Sequence, residues 1–335
     1  MEDTHEILLE VKDLHTSFFT EDGEVKAVDG IDFVVEKGKT LGIVGESGSG
    51  KSVTSLSIMR LLEGTTATIP SGEILYDGKD LLKMSNQEMM RIRGNHISMV
   101  FQEPMTSLNP TMTCGEQIAE PIRTHRKLSR KDAWDSALRM LKRVGMPEPE
   151  KRARQYPFEL SGGMRQRVMI AMALSCHPDL LIADEPTTAL DVTIQAQILD
   201  LIKRLQREFG TSMIMITHDL GVIAEVCDKV AVMYCGKIVE YTDTYTLFTD
   251  PKHPYTVGLM KSIPSHEADV EGDLNIIRGT LPSPNDRPKG CLFAPRCPYM
   301  KDICNETPPE LLECGEDRTV RCFIYQLENW EGDRP

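Results

Sequence analysis

The chain has 335 residues, of which 40% are hydrophobic and 27% charged, which is typical of a globular protein of about two domains and excludes disordered, collagen-like and coiled-coil classes. Its 38 basic and 51 acidic residues give a net charge of −13, which argues against binding to nucleic acid through phosphates and against direct adsorption on anionic lipid. Neither a bilayer-spanning apolar stretch nor a signal peptide is visible, so we expect the chain to stay in the cytosol.

Short strands and turns alternate over the first 60 residues. Alternating apolar side chains predict strands at residues 8–11 and 27–34, separated by a turn at residues 21–23. The apolar run at residues 40–44 predicts a buried strand that leads into a glycine-rich loop and a helix over about residues 52–62. Residues 72–100 then predict a hairpin, a helix and a strand.

The second half of the chain changes its pattern twice. Residues 103–160 have helical periodicity, most clearly at residues 131–144. Strands and helices alternate after that, with helices at 164–176, 193–209 and 220–227 and strands at 180–183, 213–216 and 230–233. This alternation predicts an α/β fold with a mostly parallel sheet covered on both faces. Periodicity is lost after residue 251, so we place a domain boundary near residue 250 and expect an irregular, cysteine-rich segment over residues 251–335.

The glycine-rich loop fits the pattern G-x-x-x-x-G-K-[ST] between a predicted strand and a predicted helix. Glycines let consecutive backbone N–H groups point at phosphate oxygens, and the helix N-terminus adds the positive end of its dipole. In such a loop Lys51 reaches the β- and γ-phosphates and the Ser52 hydroxyl binds Mg²⁺. The predicted phosphate-binding residues are Gly45, Glu46, Ser47, Gly48, Ser49, Gly50, Lys51 and Ser52.

Two acids end the apolar strand predicted at residues 180–183. Asp184, at the tip of the strand, can hold Mg²⁺ through water, and Glu185 can polarise an attacking water as a general base. The two acids and the glycine-rich loop together predict a site that hydrolyses a nucleoside triphosphate.

Residues 160–167 read LSGGMRQR and resemble the LSGGQ signature of the ABC-type ATPases, with Met164 where glutamine is commonest. Other segments resemble motifs of the same family and occur in the family's order. They are the Q-loop at Gln102, the D-loop at residues 188–191 with Asp191, and the switch histidine at His218. This resemblance implies a P-loop ABC-type nucleotide-binding domain over residues 1–250, with a helical subdomain at about 103–160.

The resemblance also implies how ATP is bound and used. The signature segment of one chain would cover the ATP that Lys51 holds in another, through Ser161, Gly162, Gly163 and Gln166. Gln102 would sense Mg²⁺ and the γ-phosphate, and Ser52 and Asp184 would be the other ligands of Mg²⁺. His218 would orient the γ-phosphate beside the catalytic Glu185. For the adenine, the family uses an aromatic side chain upstream of the loop, here Phe18, with Phe19 as the alternative.

Residues 250–256, followed by Leu259 and Pro264, resemble the extension of the ATP-binding subunits of dipeptide and oligopeptide importers. This implies an ATPase subunit at the cytoplasmic face of the cell membrane that powers peptide import. Its partners would be a second, related ATPase subunit, two transmembrane permease subunits and, indirectly, an extracytoplasmic peptide-binding protein, with no nucleic acid. A soluble ABC-type ATPase and an importer of nickel are the alternatives.

Five of the nine cysteines lie in the last 45 residues, and some members of the peptide-importer group carry an iron–sulfur cluster there. Four thiolates suit either a tetrahedral Zn²⁺ or a 4Fe–4S cluster, and the wide spacing favours the cluster because structural zinc sites use tight C-x₂₋₄-C pairs. Free thiols and a redox-sensing role remain open, and Cys314 is treated as a spare thiol. The expected cluster ligands are Cys291, Cys297, Cys304 and Cys322.

Overall fold

A computed structural model describes residues 6–21, 23–188, 190–262, 277–283, 286–315 and 317–327. Asp22, Ala189 and Pro264, which belong to the turn, D-loop and extension motifs above, lie outside these residues. The strands are β1 (Ile7–Thr20), β2 (Gly23–Glu36), β3 (Thr40–Val44), β4 (Ala67–Thr68), β5 (Glu73–Tyr76), β6 (Lys79–Asp80), β7 (Ile97–Val100), β8 (Leu180–Asp184), β9 (Ser212–Thr217), β10 (Lys229–Tyr234), β11 (Lys237–Asp243), β12 (Leu312–Glu313) and β13 (Thr319–Val320).

The α-helices are α1 (Lys51–Ile58), α2 (Asn86–Ile92), α3 (Pro104–Ser107), α4 (Cys114–Arg126), α5 (Arg130–Arg143), α6 (Pro149–Arg152), α7 (Gly162–Leu174), α8 (Val192–Phe209), α9 (Leu220–Val226), α10 (Thr244–Thr249), α11 (Pro254–Lys261) and α12 (Asp302–Glu306). Short 3₁₀ helices occur at Leu81–Lys83, Pro157–Glu159, Ala294–Arg296 and Phe323–Tyr325. Of the helices in the described ranges, none combines the length and apolarity that a membrane crossing requires.

The described residues form two compact units. The first unit takes residues up to Leu9, Val35–Thr40 and Tyr76–Ile216. Its strands β7, β8 and β9 are parallel, with Ile97 opposite Leu180 and Leu180 opposite Ser212. Helix α7 is apolar on most of its surface, so it lies buried against α4, α5, α8 and β7.

The second unit takes Glu10–Val34, Leu41–Leu75 and the chain from Thr217 onward. Here β3 pairs with β10 in parallel, β10 with β11 in antiparallel, and the short strands β13 and β12 extend the ladder from β11. All five residues of β3 are buried, as the apolar run predicted. The core around β10 includes Tyr234, Tyr255 and Phe293, so residues from beyond position 250 pack with the central strands.

Most of the predicted strands and helices occur within a few residues of their expected bounds. The helix expected at residues 52–62 begins at Lys51 and ends at Ile58. Sequence patterning missed β11 and α10, and it predicted an irregular segment after residue 250, where the described residues form two α-helices, α11 and α12, and two short strands. Residues on both sides of position 250 belong to the second unit, and the domain boundary there stays a prediction.

Candidate functional site

The phosphate-binding motif lies in the second unit, between β3 and α1, as the sequence predicted. A Cβ atom on Gly45 would lie 2.2 Å from the carbonyl oxygen of Met233, and one on Gly50 would lie 2.5 Å from that of Ala27. Gly48 has a φ of 82°, a left-handed conformation that favours glycine. Each of these glycines is therefore required by close backbone approach or by backbone conformation.

The lysine of the loop is buried, with 5% of its surface exposed. Its Nζ atom donates hydrogen bonds to the carbonyl oxygens of Gly45 at 2.8 Å and Glu46 at 3.0 Å. Lys51 also begins α1, so its ammonium group and the first N–H groups of the helix share one end of the loop. This arrangement concentrates positive charge where a phosphate group would bind.

Glu46 is held by two residues that sequence reasoning did not select. Its backbone N–H donates to the hydroxyl oxygen of Tyr255 at 2.9 Å. Its carboxylate accepts two hydrogen bonds from the guanidinium of Arg296, at 3.0 and 3.1 Å. The sequence does contain a sign that such a partner exists, because an acidic side chain in an anion-binding loop is stable only beside a compensating cation.

In the first unit, the strand register brings Gln102 next to Glu185. Val100 lies opposite Ala183 in the parallel pair β7–β8, and Gln102 and Glu185 each follow two residues later. The Gln102 side-chain amide donates to Glu185 Oε2 at 3.1 Å, and the Thr188 hydroxyl donates to the same oxygen at 2.8 Å. Glu185 has a φ of 46°, and its backbone N–H donates to the carbonyl of Ile216. Hydrogen bonds therefore hold both the backbone and the carboxylate of this residue.

The neighbouring Asp184 ends β8 with only 4% of its surface exposed. Carboxylate, hydroxyl and amide oxygens, as on Asp184, Ser52 and Gln102, are the ligands that Mg²⁺ prefers. The three residues stay predicted magnesium ligands.

The signature segment begins α7 in the first unit. Ser161 is the N-cap, and its hydroxyl accepts a hydrogen bond from the N–H of Met164 at 3.4 Å. A Cβ atom on Gly163 would lie 3.1 Å from Ile194, whereas Gly162 has more room. Gln166 is 1% exposed because it lies on the inward side of α7, and its contact with the ATP of a second chain stays a prediction.

The remaining predicted nucleotide residues lie at the ends of elements. Asp191 is the N-cap of α8 and accepts from the N–H of Ile194 at 3.0 Å. His218 is exposed and directly follows β9. In β1, Phe18 is half-buried opposite Ala67, and Phe19 is 53% exposed, so both rings keep surface for stacking.

The nine cysteines are all free thiols, and four of them line one small cavity of about 10 Å³ in the second unit. These are the four expected ligands, Cys291, Cys297, Cys304 and Cys322, while Cys314 does not line it. Burial raises the pKa of Cys297 to about 11 and that of Cys322 to about 12, and the other thiols of the cavity add to both shifts. Among the residues that the structure describes, no group of three or more Cys, His, Asp or Glu side chains is arranged so that it could hold a metal ion.

Comparison with protein families gives two matches along the chain. Residues 28–188 match the ABC transporter family, and residues 239–304 match the C-terminal region of oligopeptide/dipeptide transporters. The first match contains the phosphate loop and the signature segment, and the second contains Tyr255, Arg296 and three of the four cavity cysteines.

Curated relatives are similar over nearly the whole chain. The oligopeptide transport ATP-binding protein AppD of Bacillus subtilis (strain 168) is 53% identical over 97% of this chain and 98% of its own. OppD of the same organism is 54% identical over 95% of this chain and 88% of its own. The dipeptide transport ATP-binding protein DppD is 52% identical over 95% of each.

Solved structures match about 70% of the chain. The ATP-binding cassette MJ0796, solved as a dimer in a post-hydrolysis state bound to ADP and Pi, superposes with a TM-score of 0.64 at 28% identity, covering 70% of this chain and 98% of that one. The cbiO1 protein of Clostridium perfringens, part of the ABC transporter complex cbiONQ, has a TM-score of 0.62 at 29% identity, covering 73% and 92%. Both comparisons support the ABC cassette fold.

Proposed function

This chain belongs to the ABC transporter family, in the group of oligopeptide and dipeptide transport ATP-binding proteins, and from that premise we propose that it hydrolyses ATP to power peptide import through a membrane transporter. One observation carries the proposal: alignments at 52–54% identity to peptide-transport ATP-binding proteins cover 95–97% of the chain, and residues 239–304 match the C-terminal region of oligopeptide/dipeptide transporters. The same observation favours peptides over nickel and over a soluble ATPase as the alternatives.

The phosphates of ATP would be bound by the loop between β3 and α1. Its backbone N–H groups and the ammonium of Lys51 supply the positive charge, and Ser52, Asp184 and Gln102 would hold Mg²⁺. When bound, Mg²⁺ neutralises charge on the phosphate oxygens. Phe18 would stack on the adenine.

Hydrolysis would depend on Glu185 as the base that polarises the attacking water. The hydrogen bonds from Gln102 and Thr188 both fall on Oε2 and hold the carboxylate in one orientation. His218 would orient the γ-phosphate and the water. The motifs quoted above and the hydrogen bonds to Glu185 support these proposed roles.

A second cassette would complete the site. The exposed N-terminus of α7, with Ser161 and Gly162, would cover the ATP of a partner chain, and Asp191 would lie in the same contact. We propose that the partner is a related ATPase subunit, and that the pair docks on two permease subunits at the cytoplasmic face of the membrane, served by an extracytoplasmic peptide-binding protein. Purifying the membrane complex through a tag on this chain tests the proposal, because permeases and a second cassette must then purify together with it.

The catalytic proposal is tested by Glu185→Gln. ATP turnover should fall at least about 100-fold, because the base is lost, while Mg-ATP binding stays within about 2-fold because the phosphate loop is unchanged. Glu208→Gln, an exposed acid of the same unit, is the matched control and should turn over at the wild-type rate. Near-normal hydrolysis by Glu185→Gln would remove it from the mechanism.

We also propose that Cys291, Cys297, Cys304 and Cys322 hold a 4Fe–4S cluster. The support is that four thiolates suit cluster ligation and that these four thiols line one cavity of the second unit, where the described side chains are not arranged to hold a metal ion. A bound cluster would cross-link the segments that carry the four thiols.

Iron and acid-labile sulfide analysis of anaerobically purified protein tests this assignment. We expect about four irons per chain, loss of the cluster absorbance in Cys297→Ser and its retention in Cys314→Ser. Zinc in place of iron, protein without metal, or equal loss in both variants would overturn it.

A further inference from the structure

Glu46 places a carboxylate in a loop whose task is to bind a triphosphate. A carboxylate with no partner there would repel the phosphate oxygens, because like charges within a few ångströms disfavour each other. The structure compensates this charge with Arg296, a residue 250 positions further along the chain.

The pair Glu46–Arg296 has the geometry of a strong ion pair. Two parallel hydrogen bonds join the guanidinium to the carboxylate, at 3.0 and 3.1 Å. The Arg296 side chain is 5% exposed and that of Glu46 26%, so water screens the pair only partly. The guanidinium also lies 5.8 Å from the centre of the Tyr234 ring and 6.0 Å from that of Phe293, within the range of a cation–π contact.

A second contact from the same part of the chain holds the backbone of Glu46. Its N–H donates to the hydroxyl of Tyr255, a fully buried residue whose ring lies 4.7 Å from that of Tyr234 and 5.5 Å from that of Phe293. The carbonyl oxygen of Glu46 accepts from Lys51 at 3.0 Å. Glu46 is thus fixed at its amide, its carbonyl and its carboxylate.

We propose that Arg296 and Tyr255 are positioning residues for ATP, so that the C-terminal extension is part of the nucleotide-binding apparatus. Arg296 neutralises Glu46, and Tyr255 sets the backbone of the loop at its second residue, so that the N–H groups that follow are presented to the phosphates. This inference rests on the proposed function, because it requires the loop to bind ATP.

The decisive measurement is the dissociation constant of Mg-ATP for the full-length chain, by isothermal titration, in a cycle of four proteins: wild type, Arg296→Gln, Glu46→Gln and the double variant. Arg296→Gln should bind about 10-fold more weakly, because Glu46 is left without its cation. Glu46→Gln removes the carboxylate and is the reference with which the double variant is compared. The double variant should recover most of the affinity that Arg296→Gln loses, since the repelling carboxylate is gone.

Recovery by a second substitution separates positioning from a purely structural role, because two losses of packing would add rather than cancel. A matched control is Arg318, another arginine of the extension with a 5% exposed side chain, which pairs with Glu240 and Asp250 and not with the loop. Arg318→Lys should keep the wild-type affinity, whereas Arg296→Lys, which keeps the charge and loses the second hydrogen bond, should bind about 3-fold more weakly. Tyr255→Phe, which removes only the hydroxyl, should have a similarly small effect.

The results distinguish this inference from the proposed function. If the wild-type chain does not bind Mg-ATP, the proposed function fails. If the wild type binds and Arg296→Gln binds equally well, or if the double variant binds no better than Arg296→Gln, only the positioning role fails. Should Arg296→Gln not fold, as judged by circular dichroism, the comparison of Arg296→Lys with Arg318→Lys decides: equal affinities overturn the inference.

Discussion

The phosphate loop and the signature segment are both glycine-containing turns at the N-terminus of a helix, yet they differ in the number of contacts that hold them in place. In the phosphate loop, Lys51 is buried and hydrogen-bonded to two loop carbonyls, and Glu46 is held by Tyr255 and Arg296. In the signature segment, Ser161 is exposed and makes one capping hydrogen bond of 3.4 Å. Hydrogen bonds within the chain hold the phosphate loop in place, whereas the start of the signature segment is exposed.

This difference matches where each loop would find its ligand. A loop that binds phosphate within one chain gains affinity from being pre-organised, because less conformational freedom is lost on binding. A surface that meets ATP only when a second cassette arrives must stay accessible, and backbone donors at a helix end serve that purpose without further support. The two segments therefore differ in the number of hydrogen bonds that hold them, in agreement with the roles proposed for each.

We expect the largest effect when the lysine of the phosphate loop is removed. In Lys51→Ala, affinity for Mg-ATP should fall at least about 100-fold, because about two charge-assisted hydrogen bonds to phosphate are lost at 1.5–3 kcal/mol each. Titration of the isolated chain with a fluorescent ATP analogue measures this loss. Lys203→Ala, a lysine of α8 in the first unit, is the control and should bind like the wild type.

A substitution in the signature segment should impair the pairing of cassettes and leave ATP binding by one chain unchanged. Ser161→Arg places a bulky cation at the exposed N-terminus of α7, so we expect ATP-driven pairing of cassettes and turnover to drop at least about 10-fold while single-chain ATP binding stays within about 2-fold. Light scattering with and without ATP, in the Glu185→Gln background, reports the pairing. Paired cassettes in Ser161→Arg would show that this segment does not face a second chain.

We expect a smaller effect on ATP affinity from the aromatic residues proposed to contact the adenine. Phe18→Ala should weaken Mg-ATP binding about 5-fold through lost stacking, and Phe19→Ala should change it less than about 2-fold. The ratio of ATP to triphosphate affinity isolates the stacking contribution, because inorganic triphosphate has no base. The reverse ranking would assign the adenine contact to the more exposed ring of Phe19.

Sequence patterning found the elements whose burial is continuous or alternates cleanly, such as β3, β8 and α8. It missed β11 because Glu240 and Thr242, two polar residues, are fully buried in that strand and conceal the pattern. The Glu240 carboxylate is accommodated by Arg318, 78 residues away, at 2.6 Å. A buried ion pair with so distant a partner leaves no local periodicity to read.

The amino-acid sequence by itself determined the chemistry of the protein: the phosphate loop, the acids that end β8, the signature segment and their order along the chain. These features follow from residues that are near neighbours, and local geometry carries them into strands, turns and helix ends. Only the tertiary structure decided that Arg296 pairs with Glu46 and that Gln166 points inward. Such contacts join segments far apart in the chain, and the packing of the core, rather than spacing, brings them together.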